Sequence, residues 1–383
     1  MTERQPRRLV ILNQAANYLT IGFANAFNRE FDSVTLIAGS VHVQGQPLDA
    51  DIQIRTINRW HERPAGKKAL SYGLGLIWMW WLLMTHYRRH EVLFVSVPPM
   101  AYLLNLVLPH RFSMVIWDVY PDSLKITGMR ERHPIYRTWA WLNRRSFRRA
   151  YRLFTISEPM AEMLSAYVDR ARLIVHPIWS IFQDNECIAA YENPFVQEHG
   201  LEGKFVVQYS GNIGLTHNVE AMIELAEQLQ DDARVVFQII GRGPRKPLIE
   251  RLVHEKNLRN VQMLPFQSDE MFPFSLSAAD LGVVILHDSV SRGSVPSKAY
   301  NLMSFGIPAL YIAAEDSELA RYAKEFGCGV CFSVSRVNEM VGFIQALKDS
   351  SGCQRGMAER SLRAAQQFTP TNADLFVSSY VSD

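Results

Sequence analysis

Along the first half of the chain, short apolar and β-branched runs alternate with stretches whose apolar residues recur at helical spacing. RLVIL (8 to 12), SVTLIAG (33 to 39), DIQIRTI (51 to 57), EVLFVSV (91 to 97), FSMVIWDVY (112 to 120), LFTIS (153 to 157) and ARLIVHP (171 to 177) read as strands that end in polar residues or proline. IGFANAFNREF (21 to 31) and EPMAEMLSAYV (158 to 168) read as intervening helices. Such alternation predicts βαβ units and a parallel sheet. Residues 178 to 204 interrupt the pattern as a connector, and a second alternation follows. Its strands are FVVQYSG (205 to 211), RVVFQIIG (234 to 241), VQMLPF (261 to 266), LGVVIL (281 to 286), IPALYI and GVCFSV, with helices between them. The pattern therefore predicts an α/β protein of two doubly wound, Rossmann-like domains. Residues 1–180 form the first and 181–367 the second, and a helix at about 368–383 packs back on the first. Ligands of open parallel sheets bind beyond the carboxyl ends of the strands, so two such domains facing each other define a cleft.

One helical stretch is unusually apolar. ALSYGLGLIWMWWLLMTHY (69 to 87) is uncharged with His86 neutral and is long enough to span a bilayer. Both flanks are basic, and strand text continues on either side of it, so a span would split one sheet across a membrane. The expected arrangement is a helix packed on the sheet with one face dipping into the lipid interface.

Composition changes the picture little. The 383 residues are 48% hydrophobic and 20% charged, with a formal net charge of +2, which are ordinary globular values. Charge distribution is more informative: from Arg130 to Arg152 there are eight Arg and a single Glu. Four cysteines in a chain of this length argue against a disulfide framework. Cys328 and Cys331 form a C-x-x-C, but with no second ligand pair nearby it reads as a turn entering a strand. The start, MTERQPRRLVIL, lacks the apolar stretch of a signal peptide. No metal-binding motif occurs, so no metal and no cofactor are expected.

Three stretches of the second half fall just past strands. In QYSGNIGLTHN (208 to 218), Gly211 and Gly214 permit a turn whose amides face an anion. In IIGRGPRKPL (239 to 248), Gly241 and Gly243 bracket Arg242, and Lys246 follows. In SVSRGSVPSKAYNLMSFGIPAL (289 to 310), Arg292 and Lys298 flank the start of a short helix. A helix start presents unpaired amides and the positive end of its dipole. Together the three stretches point to one anionic ligand such as a diphosphate. The spacing is neither a Walker A motif nor a dinucleotide fingerprint, so ATPase and dehydrogenase chemistry lack support.

The order of these elements, with the AAD before LGVVIL and the later ELARYAKEFGCGV, resembles the donor domain of GT-B glycosyltransferases. It is most similar to glycosyltransferase family 4, in the branch that builds bacterial surface polysaccharides. WDVYPD (117 to 122), TISEPMAEML (155 to 164) and VHPIW (175 to 179) sit where that family has its acceptor-side loops and crossover, so the likeness covers nearly the whole chain. The resemblance implies donor contacts from Gly211, Asn212 and Gly214 to phosphate and from Gly241, Arg242 and Gly243 near the nucleotide. It implies contacts from Pro265 and Phe266 to the base, from Ser297 and Lys298 to the diphosphate, and from Asn301 near the ribose. The chain also departs from the pattern. Asn212 and His217 stand where most of the family has Arg and Lys, and both positions of the E-x7-E pair, Gly293 and Asn301, lack a carboxylate. The remaining cations, Arg242, Lys246, Arg292 and Lys298, thereby gain weight in balancing the charge of a leaving diphosphate, and Lys298 and Arg292 are preferred as catalytic.

On the acceptor side Asp118 ends an apolar strand and is the candidate to orient or deprotonate a hydroxyl; capping of the following turn is its alternative role. Asn13, Asn17, Tyr18 and Tyr120 are weaker acceptor candidates. Arg144, Arg145, Arg148, Arg149 and Arg152, with Trp139 and Trp141 and with Trp78, Trp80 and Trp81, form an expected interfacial surface for anionic lipid. No nucleic-acid module accompanies the arginines. By resemblance, the chain is expected to be a cytoplasmic enzyme attached peripherally to the inner face of the plasma membrane. It would pass a hexose with retention, and without a metal, from a nucleotide diphosphate sugar, UDP-linked, to a polyprenyl-diphosphate-linked or other glycan acceptor. A nucleotide-sugar epimerase of the same architecture, or a catalytically degenerate GT-B binding protein, are the alternatives.

Overall fold

Seven parallel strands make the first sheet: β1 (Arg8–Leu12), β2 (Ser33–Ala38), β3 (Gln53–Thr56), β4 (Glu91–Val95), β5 (Phe112–Ile116), β6 (Leu153–Thr155) and β7 (Leu173–Val175), in the order β3-β2-β1-β4-β5-β6-β7. They belong to a computed structural model that describes residues 6–61, 65–183 and 187–382. The chain divides into two units, Met1–Ile181 with Pro370–Asp383, and Phe182–Thr369. The return to the first unit thus comes two residues later than the pattern suggested. β1 is apolar almost throughout because both faces of a parallel sheet are covered.

Around this sheet lie α1 (Tyr18–Asn28), α2 (Ala65–Thr85) and α3 (Pro134–Arg149). α1 begins three residues before the expected helix at 21 because the Asn17 side chain caps it, accepting from the Thr20 amide at 3.3 Å. β5 stops at Ile116, four residues short of the apolar run that announced it, and the chain turns at Trp117 and Asp118. Met79, Leu82 and Leu83 of α2 are buried, and among the described residues no helix is long and apolar enough to cross a membrane.

The second unit repeats the topology. Its strands are β8 (Phe205–Asn212), β9 (Val235–Arg242), β10 (Val261–Leu264), β11 (Leu281–Ile285), β12 (Ala309–Ile312) and β13 (Gly329–Phe332), all parallel, in the order β10-β9-β8-β11-β12-β13. Val207, Tyr209, Phe237, Ile239 and Val283 lead its core. The helix announced by the Pro-Ser-Lys stretch is α4 (Ser297–Ser304). It closes on β11 at Gly282, where an added Cβ would lie 2.2 Å from the Leu302 side chain. Cys328 and Cys331 are free thiols.

A further helix, α5 (Asn372–Val381), belongs to the first unit. Phe376 meets Phe23 edge-on at 4.8 Å, and Tyr380 meets Phe27 at 5.2 Å.

Candidate functional site

The site of the second unit grows from two strand ends. β8 and β9 stay in register past their apolar stretches, with Gly211 opposite Gly241 and Asn212 opposite Arg242. The loops then remain joined, since the Ile213 amide donates to the Arg242 carbonyl at 2.8 Å and the Arg245 amide to the Ile213 carbonyl at 3.1 Å. This approach demands glycine: Gly241 has φ 155°, and a Cβ there would lie 1.9 Å from the Gly211 oxygen. Gly241 and Gly243 therefore serve first to bring two loops together. Past them, the amides of Gly214, Leu215 and Thr216 donate to no group among the described residues.

α4 delivers the third stretch to the same place. Its start carries no side-chain cap, so the amides of Ser297 and Lys298 have no acceptor among the described residues, with Ser297 exposed at the entrance. Lys298 extends over the Tyr209 ring, its Nζ 3.9 Å from the centroid and 3.1 Å from where a Cβ of Gly211 would stand. That Nζ is buried and has no hydrogen-bond partner among the described residues. Burial pushes it down to about 7. A buried ammonium with three unused donors lacks the anion that would complete it. The Tyr209 hydroxyl donates to the Asn212 carbonyl at 2.6 Å and so fixes the loop beneath it. Lys298 and Asn301 also line a cavity of about 20 Å³ with Gln208, Ser210, Phe272 and Leu302.

His217 sits at the same loop, its Nδ1 3.0 Å from Thr216 Oγ1. Burial, followed by the charge of Lys298, pushes it down to about 3, so the imidazole is neutral. The position that resembles a family lysine thus carries no charge, and the cation arrives from α4 instead.

Other expected residues fall differently. Arg292 is engaged by Asp316, Nε to carboxylate 3.2 Å, and is not a free cation over the helix start. Lys246 opens the helix Lys246–Glu255 and faces Glu250 at 3.7 Å, an intrahelical pair. Arg242 is exposed and lies over the exposed ring of Phe266 at 5.0 Å, which leaves Phe266 and Pro265 as a platform at the end of β10. Asn212 is exposed at the loop tip. The motif reading passed over Tyr209 and Gln208, although both stand in the quoted QYSGN.

In the first unit Asp118 follows β5 and has no hydrogen-bond partner among the described residues, so the turn-capping role is not realised. The next acid in the motif, Asp122, is the structural one: it accepts from the Tyr136 hydroxyl at 2.8 Å and pairs with Lys125. Surrounding protein pushes the Asp118 carboxyl up to about 7, an effect that the exposed surface of this residue reduces. Burial raises Tyr72 and Tyr120, and the charge of Asp118 adds to it. Tyr120 stacks on Trp139 at 5.4 Å, and Trp139 donates to the Tyr102 hydroxyl at 2.8 Å. Asp118, Tyr120 and Tyr102 line a cavity of about 10 Å³.

The remaining acceptor candidates are bonded within their own unit. Asn13 is buried, donates to Thr20 Oγ1 at 2.7 Å and accepts from the Ala15 amide at 3.0 Å, so both ends of its amide brace its own loop. Asn17 caps α1, and the Tyr18 hydroxyl donates to the Trp179 carbonyl at 3.2 Å. Among the described residues no group of three or more His, Cys, Asp or Glu is placed to hold a metal ion.

Comparison with known proteins agrees with this architecture. Residues 192–365 match the family model "Glycosyl transferases group 1". The Escherichia coli protein WcaI, ascribed to colanic acid biosynthesis as a glycosyl transferase, is 33% identical over 165 residues, 42% of this chain and 40% of its own. The Pseudomonas aeruginosa glycosyltransferase WbjE is 27% identical over 276 residues, 68% of each chain. The match to WcaI thus spans less than half of that relative's length. Among solved structures, WaaG, a glycosyltransferase involved in lipopolysaccharide biosynthesis, superposes with a TM-score of 0.73 at 14% identity, covering 98% of this chain and 100% of its own. HepE of Anabaena, solved with UDP, gives 0.71 at 13% identity, covering 97% and 98%. The chain has the GT-B fold, and its residues 192–365 are similar to the group 1 glycosyl transferases.

Proposed function

We propose that the chain is a retaining glycosyltransferase that moves a hexose from a UDP-linked donor to a polyprenyl-diphosphate-linked or other glycan acceptor during synthesis of a bacterial surface polysaccharide. The observation that carries this reading is the buried, unpartnered ammonium of Lys298 beside Gly211 and the open start of α4. A diphosphate completes that arrangement, and UDP in the related fold of HepE makes it the first nucleotide to test. WcaI and WbjE support transfer chemistry, and the process ascribed to WcaI supports the polysaccharide setting.

In the reaction, the bond from the anomeric carbon to the leaving phosphate oxygen breaks, and its electron pair stays on the diphosphate. The acceptor oxygen bonds to the same face of that carbon and passes its proton to the leaving phosphate. Lys298 and the loop amides stabilise the developing negative charge, a role that elsewhere falls to a divalent ion. His217, being neutral, adds no charge. In the first unit, the Asp118 carboxylate accepts a hydrogen bond from the acceptor hydroxyl and orients it.

A thermal-shift series with UDP, GDP, ADP and their sugars tests the donor, followed by transfer to membrane extract with the best of them. UDP is expected to raise the unfolding temperature, and Lys298→Met to remove the rise. If no nucleotide shifts unfolding, the donor reading fails. If a nucleotide sugar is converted without any acceptor, the protein is an epimerase instead. Transfer that persists unchanged in excess chelator is expected; its loss would overturn the metal-free part of the proposal.

A further inference from the structure

α2 is built inside out. From Ala69 to Met84 every solvent-facing position is apolar, and Leu70, Leu74, Ile77, Trp78, Trp81 and Met84 lie along one helical stripe. The polar side chain within that stretch, Ser71, is buried instead, its hydroxyl donating to the Lys68 carbonyl at 2.8 Å. A helix of 21 residues is about 30 Å long, and an exposed apolar face of that length is far from the scattered hydrophobics of an ordinary surface.

The margins of the stripe are cationic. Lys67 is exposed near one end of α2 and Arg88 and Arg89 just past the other, and no acid occurs between Gly66 and His90. The 3-10 turn Ala101–Leu106 touches both α2 and α3, and Met100 and Val107 at its ends are exposed. Beyond it, α3 exposes Trp141 with the Arg145 guanidinium 3.9 Å over its ring, and Arg137, Arg144 and Arg148 face solvent. From Arg132 to Ser157 the chain holds no acid.

The structure also redraws the surface that composition suggested. Trp139 is occupied by Tyr120 and Tyr102, Arg149 donates to the carbonyls of Leu106 and Leu108, and Arg152 to that of Ser382. Those groups hold the unit together, and the surface that is left centres on α2.

We propose that α2 lies flat in the headgroup region of an anionic bilayer, its apolar stripe toward the acyl chains, with Lys67, Arg88 and Arg145 against lipid phosphates. Charge selects this occupant over a second copy of the chain. A self-complementary pairing would set basic margins of the same sign side by side, whereas anionic lipid neutralises them. This inference stands independently of the proposed reaction.

The test is flotation of the full chain with vesicles of phosphatidylcholine alone or of phosphatidylcholine and phosphatidylglycerol in equal parts. The protein is expected to float with the anionic vesicles, roughly ten-fold less with the neutral ones, and to lose the difference in high salt. Combined Leu74→Gln, Trp78→Gln and Trp81→Gln is expected to reduce partitioning by at least about ten-fold, because the three apolar side chains no longer leave water. An unfolding temperature equal to that of the parent shows that this variant is folded. Arg145→Glu with Arg148→Glu, whose side chains face solvent, should abolish the preference for anionic lipid. Equal partitioning of parent and triple variant overturns the proposal, as does a parent that floats with neither vesicle. A dimer in solution that the triple variant dissolves, without flotation, assigns the face to a second copy and overturns it as well.

Discussion

The two units use one strand order for two purposes, and the loops after their first strands show the difference. Beyond β1, Asn13 is bonded at both ends of its amide, Asn17 caps α1, and Gln14 donates to the carbonyls of Asn58 and Ser71. Beyond β8, the amides of Gly214 to Thr216 are open and Lys298 stands over Tyr209 without a hydrogen-bond partner among the described residues. Topology sets the place at the carboxyl end of the sheet, and the second unit's loop differs from the first's in its open amides and its cation without a partner among the described residues. The first unit's candidate lies at the end of β5, where Asp118 has no hydrogen-bond partner among the described residues.

The largest effect should come from breaking the approach of β8 and β9. Gly241→Val puts a side chain into the Gly211 carbonyl at a φ that valine rarely adopts, so a loss of more than about 4 kcal/mol is expected, read as loss of the cooperative unfolding transition. Lys298→Met should lower kcat/KM by about 10²- to 10³-fold while the unfolding temperature holds or rises, since a buried unpartnered ammonium is costly to the fold. Restored charge in the double variant Lys298→Met, His217→Lys would sharpen the comparison by recovering part of that loss from the other side of the site. Asp118→Asn should lower turnover by about 10-fold or more without changing unfolding.

Both groups also set a pH dependence. The Asp118 carboxyl is raised, to less than about 7 because the residue is exposed, so kcat/KM should rise with pH along an acid limb below that value. Lys298, pushed down to about 7, is charged only below it, so kcat/KM should fall as pH rises further. A bell is expected, with the acid limb absent in Asp118→Asn and the alkaline limb, near 7, moved upward in Lys298→Arg. The smallest effect belongs to the first unit's closed loop: Asn13→Ala should cost about 1 to 3 kcal/mol of stability and leave the apparent pKa values of catalysis in place.

Much of this was legible in sequence, for a physical reason. Parallel strands buried on both faces are written as short apolar runs, and every expected strand of both sheets formed. Strand ends were less legible, as in β5, because apolar Trp117, Val119 and Tyr120 continue the run after the backbone has turned. In the candidate site, glycine after a strand revealed all three loops but not what each glycine does. Gly241 is required by a neighbouring carbonyl, which no local pattern reports. Partners distant in sequence were likewise hidden. Arg292 finds Asp316 and Trp139 finds Tyr102, and these pairings engage an expected cation and an expected indole in ways that the local pattern does not report. Lys298 was found from its motif, yet its burial over Tyr209, the property that argues for an anion, exists only once α4 is docked on β11.

The position of α5 bears on how the polypeptide is made. Phe376 and Tyr380 complete a hydrophobic layer against Phe23 and Phe27, and the Tyr380 hydroxyl donates to Glu91 at 2.8 Å. Residues 182–369 lie between the two pieces of the amino-terminal unit, so on the ribosome that intervening segment emerges whole while its predecessor still waits for a missing aromatic wedge. The part synthesised first is therefore the part finished last.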